Sequence, residues 1–91
     1  ERLVRYLDQA DQDIANAKVK LAAVNEKAKI AAADAKVALE AQSAVIRADL
    51  KIAEDKLVAL KRAGQSKWKT FEADTNAAIA RLRLSIERAI G

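Results

Sequence analysis

Stepping by three or four from Leu3, the chain meets Leu7, Ala10, Ile14, Ala17, Leu21, Val24, Ala28, Ala31, Ala35, Leu39, Gln42, Ile46, Leu50, Ala53, Leu57 and Leu60. All but Gln42 are apolar, polar side chains fill the intervals, and neither proline nor glycine occurs between Leu3 and Arg62. So sustained a match to the helical period predicts one long amphipathic helix over residues 3–62. From Leu7 to Ala28 the steps are strictly three and four, a heptad pattern that favours a gentle left-handed supercoil. From Ala28 to Leu50 they follow an eleven-residue repeat that locally straightens it, and after Leu50 the heptads return.

The pattern breaks at Arg62-Ala63-Gly64-Gln65-Ser66. Gly64 suits the left-handed residue just past a helix end, Lys61 and Arg62 suit its last turn, and Ser66 suits the N-cap of a second helix. The reading is a turn at 63–66 and that second helix over about 67–90. Its apolar face is Trp68, Phe71, Ile79, Leu82, Ile86 and Ile90, with Leu84 pointing elsewhere. The expected fold is all-α, a long helix and a shorter one forming a helical hairpin within a single domain, residues 1–91.

At about 1.5 Å per residue the first helix would be roughly 90 Å long and the second roughly 36 Å. Folded back, the shorter covers less than half of the longer, and the seam from Leu3 to about Ala35 then demands another chain. The expectation is a homo-oligomer, most simply an antiparallel two-fold dimer. Its seam would be Leu3, Leu7, Ile14, Leu21, Val24, Leu39, Gln42, Ile46, Leu50, Leu57 and Leu60. Gln42 either fixes the register by pairing with its mate or reaches water.

The rival fold breaks near Ala31 to Asp34 and gives a monomeric bundle of three nearly equal helices. Against it, this segment has no glycine or proline and only Asp34 could cap a new helix, so a break there sacrifices strong helix formers. Val19, Ile30, Val37 and Ile52 fall nearly opposite the seam. Either parts of the helix have two neighbours, or these are isolated surface residues that require no partner.

Composition narrows the functional classes. Of 91 residues, 52% are hydrophobic and nearly half of those are alanine, with Tyr6, Trp68 and Phe71 the only aromatics. This is the make-up of long helices and coiled coils. With no cysteine and no histidine, disulfides, thiolate or imidazole metal sites and the usual general bases are excluded together. Ser43, Ser66 and Ser85 have no activating histidine, and the acids Asp34, Asp49, Glu54 and Asp55 read as solvated faces rather than as a di-metal site. No enzyme activity, catalytic residue, metal, cofactor or small-molecule substrate is expected. No stretch approaches a membrane span, and no signal peptide is visible. The compartment is not fixed by the sequence, with the cytoplasm favoured.

The formal charge of +4 comes from 17 basic and 13 acidic residues, well mixed along the chain, which argues against nucleic acid as a partner. The exception is the turn, where Lys56, Lys61, Arg62, Lys67 and Lys69 lie between Asp55 and Glu72 with no acid among them. Lys67 and Lys69 sit where the helix dipole disfavours cations. With Trp68 they make Lys61, Arg62, Lys67, Trp68 and Lys69 a candidate contact for an anionic membrane surface. The alternative is that Trp68 and Phe71 plug the core of the hairpin.

The run Leu60-Lys61-Arg62-Ala63, then Trp68, then apolar residues at Ile79 and Ile86, together with the Ala- and Lys-rich stretch from Lys27 to Lys36, resembles a group of small Ala-rich bacterial coiled-coil proteins. These have apolipoprotein-like composition and mostly no assigned activity. The resemblance implies a long helix followed by a shorter Trp-bearing one, and it supplies no active site. Aliphatic Ile79 and Ile86 and the basic residues around Trp68 depart from that pattern. The leading expectation is thus a non-enzymatic, self-associating coiled-coil protein with a structural or interaction role. The alternative is a peripheral lipid-binding helical protein.

Overall fold

The computed structural model describes residues 2–90, with backbone only at 65 and 90; the expected placing of the Ile90 side chain on the apolar face lies outside the described residues. The chain is all-helical. Helix α1 is Arg2–Ile30, and a second helical stretch, Ala33–Ile90, is divided at Gly64 into α2 (33–63) and α3 (65–90). The molecule measures 51 × 19 × 17 Å.

The continuous helix expected over 3–62 is therefore corrected: the chain leaves the helix at Ala31 and Ala32 and turns back. The energetic comparison explains why alanines give way. Interrupting a helix forfeits about four backbone hydrogen bonds, each worth roughly 0.5–1.5 kcal/mol net. Folding back buries Ile14 and Val24 of α1 with Ile46, Leu50, Leu57 and Leu60 of α2, and each such side chain contributes roughly 1.5–3 kcal/mol. Burial wins by a wide margin. Locally, the Ala32 carbonyl accepts from the Lys36 amide at 2.7 Å and so opens α2. Lys27 and Lys29 lie in the last turn of α1 and Asp34 in the first turn of α2, each with the sign the helix dipole favours.

The second reversal needs one residue. Gly64 has φ 71° and ψ −171°, a region open to glycine and strained for any side chain. The left-handed glycine agrees with the sequence reading. Helix resumes at once, so Ser66 lies inside the first turn of α3 instead of capping it from outside.

Long-range pairs fix the topology. Asp11 with Lys61 and Lys18 with Glu54 make α2 antiparallel to α1. Tyr6 with Asn76 and Asp13 with Arg83, both offset by 70 positions, make α3 parallel to α1. Ser85 with Asp49 joins α3 to α2. The core between the three helices is Ala10, Ile14, Ala17, Val24, Ile46, Leu50, Ala53, Leu57, Leu60, Ala78, Ile79, Leu82 and Ile86. Most of the expected intermolecular seam is thus the core of one chain. Val19, Ile30, Val37 and Ile52 are exposed although each helix has two neighbours.

Candidate functional site

This arrangement leaves two surfaces of interest, one at each end of the bundle. At the offset of 70 positions, the last turn of α3 lies level with Lys20 on α1; through Ser85 and Asp49 it lies level with about Ala44 on α2. Beyond that level the molecule is two helices thick among the described residues. This end comprises about ten residues of each helix, roughly 15 Å of hairpin. Its inner face carries Leu21, Ala31, Leu39 and Gln42, all half-buried, and buried Ala28. Leu21 and Leu39 pack on the core below, so an apolar strip continues out of the core past the level at which the described part of α3 ends, where Ser85 and Arg88 still border Gln42.

At the opposite end the structure separates the residues of the basic turn. Lys61 Nζ lies 3.1 Å from Asp11 Oδ1. Trp68 is half-buried, with its ring 6.0 Å from that of Tyr6 at an interplanar angle of 41°. Phe71 also packs on the core, which favours the core-plug alternative for both aromatics. Arg62, Lys67 and Lys69 are exposed. The Tyr6 hydroxyl donates to Asn76 Oδ1 at 2.5 Å. Burial, reinforced by the negative charges of Glu72 and Asp13, pushes its pKa above the usual value of 10.0.

Sequence reasoning weighed Ser43 and Ser85 only as nucleophiles and passed over Thr75, and it did not foresee that the fold buries all three. Thr75, 0% exposed, donates to the Phe71 carbonyl at 2.9 Å. Ser85 donates to Asp49 Oδ2 and also lies 3.1 Å from the Arg81 carbonyl. Ser43, 3% exposed, donates to Asn25 Oδ1 at 2.6 Å, and Arg47 Nη2 donates in turn to Ser43 Oγ at 3.3 Å. Hydroxyls can occupy such positions because the preceding helical turn or a neighbouring helix satisfies them. The signal was present in the heptad spacing, which places Asn25 two repeats after Asp11 and Arg47 two repeats before Lys61. It became readable only once the hairpin set 25 opposite 43 and 47.

Comparison with protein-family models, curated proteins and solved structures finds no match. Among the described residues no group of three or more acidic, histidine or cysteine side chains could hold a metal ion, and no helix is long and apolar enough to cross a membrane. What the surface offers is a helical scaffold with an apolar two-helix end, a groove around Asn25 and Arg47, and a basic turn whose tryptophan is engaged inside.

Proposed function

We propose that this chain is a non-enzymatic helical interaction module that self-associates through its two-helix end. The observation that carries the reading is the half-buried apolar strip of Leu21, Ala31 and Leu39, of which Leu21 and Leu39 pack on the core, lying beyond the end of the described part of α3. A second copy is the occupant that fits. Laid tip over tip about a two-fold axis, two hairpins build a local four-helix cross-section in which Leu21 and Leu39 of each meet the small Ala31 of the other. Small residues at such a contact let the helix axes approach closely, and a two-fold axis makes one patch complementary to itself.

The overlap is only about 15 Å long, so the area buried falls below that of a standard stable interface and the dimer is a concentration-dependent one. Sedimentation velocity over a wide concentration range tests this. The expected result is a reversible shift from monomer to dimer that Leu39→Asp abolishes while the helical circular dichroism persists. A wild-type chain that stays monomeric into the millimolar range, or a Leu39→Asp chain that still dimerises, overturns it.

A further inference from the structure

We propose that the groove between α1 and α2 at Asn25 and Arg47 binds a small molecule bearing one carboxylate or phosphate group. The outer seam of this helix pair is a ladder at heptad spacing. Its first two rungs pair a cation with a carboxylate, Lys61 with Asp11 and Lys18 with Glu54, each at 3.1 Å. One repeat further the rung is Arg47 opposite Asn25. A neutral amide stands where the pattern places an acid, and among the described residues Arg47 has no ion-pair partner.

The local hydrogen bonds orient the donors. Ser43 gives its proton to Asn25 Oδ1 and receives Arg47 Nη2. Asn25 is thereby held through its oxygen, so its amide N–H groups, like the remaining guanidinium N–H groups, are free to donate. A guanidinium edge beside an amide matches the oxygens of a carboxylate or phosphate. The groove has a volume of about 590 Å³, the size of a ligand cleft, and Lys29 and Lys36 stand at its far end. Glu26 and Glu40 line it too, and Glu26 already holds Lys29 at 3.2 Å. These two carboxylates disfavour polyanions and limit the ligand to a single oxyanion.

The test is a two-dimensional NMR titration of the full chain with sodium phosphate and, separately, sodium acetate, at ionic strength held constant with chloride. Saturable shifts are expected at the Asn25 side-chain amide and the Arg47 guanidinium. Arg47→Gln should weaken the apparent affinity at least roughly tenfold, with Arg81→Gln on α3 as a control that leaves it unchanged. Asn25→Asp is the sharper variant. It restores the missing carboxylate, so it should raise the thermal midpoint and remove binding together, which a loss through misfolding cannot do. Shifts linear in concentration and equal at Arg47 and Arg81 would overturn the proposal, as would wild-type affinity in Asn25→Asp. So would a case in which Arg47→Gln lost self-association while the wild-type groove bound neither probe, since the groove would then be serving a second chain.

Discussion

Tyr6 and Trp68 stand 62 positions apart in sequence and meet with ring centroids 6.0 Å apart, closing the start of α1 against the start of α3. The Tyr6 hydroxyl extends the same contact to Asn76 on α3. The tilted pair adds about 0.5–1.5 kcal/mol to what its buried area contributes. Trp68→Ala should therefore lower unfolding stability by about 2–3 kcal/mol, less than a fully buried tryptophan because Trp68 is half-exposed. Urea denaturation followed by circular dichroism measures it.

The same contact sets an alkaline limit. Tyr6 has a folded pKa above 10.0 because burial, then Glu72 and Asp13, disfavour the phenolate. Below pH 10 the phenol is neutral in both states and the contribution is fully present. As pH rises through the folded pKa the unfolded chain gains by ionising first, and stability falls. Tyr6 is the only tyrosine, so a tyrosinate absorbance titration reports it alone. The midpoint should lie above that of the urea-unfolded chain, and Tyr6→Phe should lessen the loss of stability at high pH.

Gly64 is the sole residue of the α2 to α3 reversal outside helical angles. A methyl group there would meet nothing within 4 Å, so no clash contributes to the outcome. Gly64→Ala isolates the backbone effect, and a loss of about 1–3 kcal/mol is expected. Differential scanning calorimetry reads it as a lower melting temperature, with the proposed dimerisation through the far end of the molecule unaffected.

Leu82 and Ile30 are both large and apolar, yet 1% and 88% exposed. Leu82→Ala should cost about 2–5 kcal/mol through lost burial and the cavity left behind. Ile30→Ser should stay within about 0.5 kcal/mol of the parent chain. Chemical denaturation of the two variants side by side checks that the core lies where the three helices meet and not on the outer faces.

The Lys18 and Glu54 pair joins α1 to α2 at 3.1 Å with both side chains substantially exposed. Glu54→Gln should cost under about 1 kcal/mol, a loss that shrinks further at high salt. Thermal melts at two ionic strengths measure both quantities. A larger, salt-resistant loss would mean that the charged ladder, and not the apolar core, holds the hairpin together.

The sequence by itself determined that every element is helical, because the apolar positions repeat with the helical period from Leu3 to Leu60 and again from Trp68 to Ile86. It determined the joint at Gly64, because only glycine adopts φ near +71° without strain. It also grouped many of the apolar residues that the fold buries, such as Ile14, Val24, Ile46, Leu50, Leu57 and Leu60, since period alone says which side chains share a face. But it assigned them to a contact between chains and did not mark Ala78 or the buried Ser43, Thr75 and Ser85. Its error lay at Ala31 and Ala32. Local propensity there favours unbroken helix, and the charges of Lys27, Lys29 and Asp34 that suit two helix ends are too weak a signal to outweigh it.

Only the tertiary structure decided that break, because the gain from closing Ile14 and Val24 over Ile46 and Leu50 is invisible to any window of sequence shorter than the hairpin. The same closure turned an expected intermolecular seam into an intramolecular core and drew Trp68 onto Tyr6. It also set Arg47 opposite Asn25 where the ladder's other rungs hold acids. A residue's face is a property of the local helix, whereas what that face meets depends on where the chain reverses, and the reversal at Ala31 is governed by burial summed over the whole length of the hairpin.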